Sequence, residues 1–129
     1  MRSKRGFTLL ETMIAVALLA IIVVSILSAF SATTLAATRH AQLTALDRWV
    51  RSDAEYIKSQ GYSVKPAAYT NLTAGGYTFS YQVLYYDASQ PPANQWLAGN
   101  ADTGLQEIIL TVNGPNSASE QLDFLKVQP

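Results

Sequence analysis

The chain has 129 residues, 49% of them hydrophobic and only 14% charged, with 9 Lys+Arg against 9 Asp+Glu. That length supports one domain of modest core, and a net charge of zero gives no global argument for a nucleic-acid or acidic partner. The absence of Cys excludes a disulfide framework, a thiolate nucleophile and Cys-based metal sites; the lone His40 excludes multi-histidine metal sites and argues against a Ser-His-Asp triad.

The charge is segregated. Arg2, Lys4 and Arg5 give the first six residues +3, and the 27 positions from Thr12 to Thr38 carry no charge at all. Beyond them six bases and eight acids leave the remainder at −2. Met13 to Leu27 is apolar on every face, and Ser28 to Ala37 continues the run more weakly. A bilayer core of roughly 30 Å needs about 20 helical residues, which this run supplies. A basic head before an apolar span predicts a single-pass anchor with its N-terminus in the cytoplasm and the remainder outside. A cleaved secretory signal, an ordinary signal anchor and an anchor exploited after processing all remain open. The first asks for a shorter apolar stretch, of about 7–15 residues, although Ser-Ala-Phe-Ser-Ala at 28–32 imitates its cleavage site.

Glu11 fits neither of the first two readings well. It sits at the inner edge of the span behind the apolar Phe7 to Leu10, where a carboxylate facing hydrocarbon costs about 2.5–3.5 kcal/mol unless it stays at headgroup level or finds a partner.

The run Arg5-Gly6-Phe7-Thr8-Leu9-Leu10-Glu11, with the basic leader before it and the apolar span behind it, resembles the processing site of type IV prepilins and type II secretion pseudopilins. The resemblance covers residues 2 to about 30. It implies a leader, residues 1–6, removed between Gly6 and Phe7 by a membrane aspartyl prepilin peptidase, followed by N-methylation of Phe7. Gly6 has a physical rationale, since a residue without Cβ lets the scissile backbone lie extended in a narrow cleft. The resemblance also gives Glu11 a role in assembly and register, opposite the positive amine of a neighbouring Phe7. An acid suits that role because a charge pair buried in an apolar core is tolerable only with both partners present. The implied partners are the prepilin peptidase, other pilin or pseudopilin subunits, a membrane assembly platform and the lipid bilayer. The implied location is the cytoplasmic (inner) membrane, then a pilus or pseudopilus outside it. The chain's length and its Glu-Thr-Met-Ile-Ala-Val-Ala run favour a minor subunit.

Helical signals continue beyond the span. Neither Pro nor Gly occurs between Phe7 and Gly61. Leu43, Leu46, Val50 and Ile57 form an apolar stripe flanked by Trp49 and Tyr56, while Asp47, Arg48, Arg51, Asp53, Glu55 and Lys58 take the remaining face. With Lys58 in the last turn and Gly61 as the C′ residue, the helix is expected from about 8 to 60, roughly 80 Å at 1.5 Å per residue. It divides into a span over 7–38 and an amphipathic half that opens the head over 39–129.

Residues 61–76 read as a loop. Tyr77 to Tyr86 alternates as a half-buried strand with Tyr77, Phe79, Tyr81, Val83 and Tyr85 on one face. Asp87 to Gly104 is turn-rich, with Trp96-Leu97 as its only apolar anchor. Leu105 to Val112 is a second strand, Asn113 to Ser117 a hairpin turn, and Gln121 to Val127 a third strand. The expected fold is therefore α+β, with a long helix packed on a small three-stranded antiparallel meander.

Candidates for chemistry in the head are few. His40 reads as an interfacial, solvated residue. Asp87, Asn94, Asn100 and Asp102 offer loop oxygens for Ca²⁺, but turn formation explains them equally and the dense Asp-x-Asp spacing is missing. No spacing suggests acid–base catalysis, metal ligation or a cofactor, so the expectation is a structural subunit and no enzyme. The alternative is a signal-anchored protein whose external head binds a ligand.

Overall fold

The computed structural model describes residues 6–129, so the basic leader residues Arg2, Lys4 and Arg5 lie outside the described residues. The chain divides into two compact units, Met1–Arg39 and His40–Pro129. One helix, α1 (Leu9–Ser59), contributes to both.

In the first unit every described side chain from Gly6 to Arg39 is exposed, including Leu10, Ile22, Leu27 and Phe30. The helix is long and apolar enough to cross a membrane. Its few polar side chains turn inward on the backbone. Ser25 donates to the Ile21 carbonyl at 2.8 Å, Ser31 to Leu27 at 3.0 Å, Thr34 to Phe30 at 2.9 Å and Thr38 to Thr34 at 3.0 Å. Such i−4 bonds satisfy hydroxyls where no water is at hand.

In the second unit the 40–59 portion of α1 packs on a sheet of four strands, β1 (Thr78–Tyr86), β2 (Trp96–Leu97), β3 (Leu105–Asn113) and β4 (Ser119–Val127). The order is β2-β1-β3-β4, every neighbour antiparallel. Leu46, Val50, Ala54 and Ile57 of the helix meet Ile108, Leu110 and Val112 of β3 in the core, with Phe79, Tyr81, Val83, Leu122 and Phe124 beside them. Trp49 joins helix to sheet through Tyr77 and Phe79, with ring centroids 5.8 and 6.1 Å apart.

The sheet has one strand more than the meander expected. β2 falls in the turn-rich segment, where Leu97 pairs with Tyr85 and Trp96 with Tyr86. Two residues are too few to show the alternation that marks a strand. The Asp87 amide donating to the Gln95 carbonyl at 2.9 Å closes this short hairpin.

Three side chains depart from the expected stripe. Leu43 is 52% exposed, whereas Leu46, one turn later, is buried close to Gly114 just beyond the end of β3. Ala54 fills the place between Val50 and Ile57. Asp53, assigned to the polar face, is wholly buried and accepts the Leu72 amide at 2.6 Å through Oδ1.

The helix also stops by a different device. Gly61 does not take the left-handed conformation of a C′ glycine; among the described glycines only Gly76 and Gly104 have positive φ. The final carbonyls are instead met by Lys126, whose Nζ donates to Ile57 at 2.7 Å and Gln60 at 2.6 Å. A cation donating there satisfies orphan acceptors and opposes the negative end of the helix dipole.

Residues 60–77 form an irregular strap tied down by tyrosines. The Tyr81 hydroxyl accepts the Tyr69 amide at 2.8 Å, and the Tyr85 hydroxyl accepts the Ala67 amide at 3.0 Å. Gln106, wholly buried, accepts from the Tyr69 hydroxyl and donates to the Ser63 carbonyl, both at 2.8 Å.

Candidate processing and assembly site

α1 starts where the sequence supplies a cap. Thr8 immediately precedes the first helical residue, and its hydroxyl accepts the Glu11 amide at 3.3 Å. Its carbonyl accepts the Thr12 amide at 3.2 Å and the Thr12 hydroxyl at 3.1 Å. Both features mark an N-cap, whose side chain takes an orphan amide while its carbonyl begins the ladder. The Thr8-x-x-Glu11 spacing is that of a capping box, a helix-start signal present in the sequence itself.

Gly6 and Phe7 therefore precede the helix. Phe7 is 83% exposed, and a Cβ added at Gly6 would meet nothing within 4 Å. Gly6, Phe7, Thr8 and Glu11 line one open hollow. Glu11 stands in the first turn, where the positive end of the helix dipole favours a carboxylate. Among the described residues it has no ion pair; the two found, Asp47–Arg51 and Glu55–Lys58, both lie in the second unit. The residues expected to matter at the N-terminus are thus brought together at one helix end.

The head's candidates are spent internally. His40 is exposed, and its carbonyl accepts the Thr44 hydroxyl at 2.9 Å. Asn100 directs Nδ2 at the carbonyls of Asn94, Gln95 and Tyr85, at 3.0 to 3.1 Å, which holds β2 against β1. The Asp87 carboxylate accepts the Ser89 amide and hydroxyl, the local bond of an Asx turn. Asp102 accepts from the Tyr62 hydroxyl, the Lys65 and Gly104 amides and Gln106 Nε2. Burial pushes its carboxyl up, and these hydrogen bonds outweigh burial and hold it below the usual carboxylate range. Tyr62 is pushed the other way, first by burial and then by the Asp102 carboxylate. Asp102 thus fastens the strap to the β2–β3 loop. Among the described residues no three His, Cys, Asp or Glu side chains are grouped as metal ligands.

Residues 1–31 match the family model described as the prokaryotic N-terminal methylation motif, the signature of type IV prepilins and pseudopilins. The matched segment includes the start of α1, the helix long and apolar enough to cross a membrane. Neither a curated protein nor a solved structure matches the chain.

Proposed function

We propose that this chain is a pilin-like structural subunit of a type IV pilus or type II secretion pseudopilus, held in the inner membrane until it is processed and assembled. The observation that carries the reading is the methylation motif over residues 1–31, which runs into the apolar first half of the uninterrupted helix α1. The basic Arg2, Lys4 and Arg5 hold the N-terminus in the cytoplasm, where a prepilin peptidase meets the Gly6–Phe7 bond. Hydrolysis adds one water: Gly6 leaves as the carboxylate of the leader, and the Phe7 nitrogen becomes a free amine that then takes a methyl group from a methyl-sulfonium donor, which departs as the thioether while the nitrogen loses a proton. Losing the leader removes +3 and makes Glu11 the first charged side chain of the mature chain.

In the filament the apolar spans exchange lipid for one another. A carboxylate carried into that core needs a cation, and the methylated amine of a neighbouring Phe7 supplies one. Glu11 thereby acts as a register pin, since only one axial offset brings it to the neighbour's amine.

The mass of the mature N-terminus tests the reading, compared between cells with and without the prepilin peptidase. A chain starting at Phe7 and carrying one added methyl group supports it. An intact Met1 in both backgrounds supports a plain signal anchor, and a start beyond residue 30 supports release by signal peptidase; either overturns it.

A further inference from the structure

We propose that Thr8 is a positioning residue for leader removal: by capping α1 it keeps the carbonyl of the scissile Gly6–Phe7 bond out of the helix. The proposal rests on the processing reading above, which assigns the Gly6–Phe7 bond within the matched segment.

The hydrogen-bond ladder at this end carries the inference. The Glu11 amide is held by the Thr8 hydroxyl at 3.3 Å, and the ladder begins with the Thr12 amide on the Thr8 carbonyl at 3.2 Å. An α-helix joins each amide to the carbonyl four residues back. If the helix grew backward by one residue, the Glu11 amide would leave Thr8 and take the Phe7 carbonyl. One residue further, the Leu10 amide would take the Gly6 carbonyl, the group a peptidase must polarise and water must attack. Cap and backward growth compete for the same donor, the Glu11 amide, and the cap holds it.

The surroundings favour growth once the cap is lost. An orphan amide at the edge of a bilayer has little water to turn to, so a further helical turn is the cheapest way to satisfy it. Backward growth would recruit Thr8 and then Phe7, both tolerated in a helix. A Cβ added at Gly6 would meet nothing within 4 Å, so the scissile bond has room to lie inside or outside the helix. The Glu11 amide held by the Thr8 hydroxyl favours the position outside it.

The test is the rate of leader removal from the full chain in membranes containing prepilin peptidase, for wild type and for Thr8→Val, Thr8→Ser and Thr8→Asn. Val keeps the branched shape and deletes the acceptor, whereas Ser and Asn keep a capping acceptor in a different shape. Thr8→Val should slow cleavage about five-fold, the fold-change one N-cap is worth, with Ser and Asn close to wild type. Carbon chemical shifts of Gly6 and Phe7 in micelles should move toward helical values in Thr8→Val alone. Equal rates for wild type and Thr8→Val overturn the capping role, and so do Ser and Asn variants as slow as Val, since the peptidase would then be reading threonine itself. A wild-type chain left uncut would sink the processing reading and this proposal with it.

Discussion

The Lys126 Nζ donates to the Ile57 carbonyl oxygen at 2.7 Å, so the last strand closes the last turn of the long helix. Lys126 is nearly buried, lies 4.9 Å from the centre of the Tyr69 ring, and also reaches the Gln60 carbonyl at 2.6 Å. Burial pulls its ammonium below the ordinary lysine value. Replacing it with Met removes the donor and leaves buried acceptors behind, a change worth about 1–3 kcal/mol. A thermal melt of residues 40–129 should therefore show Lys126→Met melting several degrees below wild type. An equal melt would mean that water serves the helix end as well as lysine does.

Asp53 predicts a pH dependence. Its Oδ1 accepts the Leu72 amide, its Oδ2 is buried with no hydrogen-bond partner, and burial pushes the carboxyl above its ordinary 3.8 against that one hydrogen bond. Between 3.8 and the raised native value the folded head binds the proton that the unfolded chain releases, so this group's contribution to stability falls as pH rises through that window. Asp102 and Asp87, both held low, slope the other way and are common to the chains compared. Asp53→Asn keeps an oxygen for the Leu72 amide and removes the charge. Its advantage over wild type should therefore grow from acid toward neutral pH, and a pH-independent difference would show that the carboxyl does not titrate on folding.

The core contact is the most direct target for disruption. Leu46 and Val50 are 1% and 2% exposed, facing β3 from α1. Leu46→Asp or Val50→Asp buries an unpaired carboxylate at several kcal/mol, against a total of about 5–15 for a small domain. Circular dichroism of residues 40–129 should show either variant unfolded at room temperature. Leu43→Asp, at a half-exposed position, should melt close to wild type.

Gly6 separates the needs of the chain from those of its processing enzyme. A Cβ at Gly6 meets nothing in this chain, so Gly6→Val should insert and fold normally. In cells with the prepilin peptidase it should accumulate with its leader attached, seen as reduced mobility on a gel, while wild type is cut. Equal cutting of both would remove the narrow-cleft rationale for this glycine.

Long periodic signals were legible. A helix expected over about 8–60 runs from Leu9 to Ser59, and the three nine-residue strands lie where alternation places them. Three of the misses share one cause: partners distant in sequence. Asp53 looks like a solvent charge until the Leu72 amide is brought to it, and β2 exists only because Tyr85 and Tyr86 give two residues something to pair with. Gly61 has the right place for a C′ glycine, but its duty falls to Lys126, remote in the chain. For Lys126 the signal was there, since Leu122, Phe124 and Lys126 share one face of β4 and a lysine continuing an inward face needs acceptors. At the N-terminus the motif marked Gly6, Phe7 and Glu11, whereas Thr8 needed the capping spacing to be noticed.

Glu11→Val tests the filament assignment most directly. The substitution makes the span more apolar, so a simple anchor would insert as well or better. In a helical assembly it leaves the methylated amine of a neighbouring Phe7 buried without its partner, and breaking one side of such a pair costs roughly 3–5 kcal/mol. The measurement is recovery of the subunit in sheared surface filaments or pseudopili, wild type against Glu11→Val, at matched membrane levels and with the leader removed from both. Wild type should be recovered and Glu11→Val depleted at least ten-fold, about the factor that 1.4 kcal/mol would produce. Equal recovery would contradict the role of Glu11 as a register pin, and absence of both from the filaments would contradict the assignment itself.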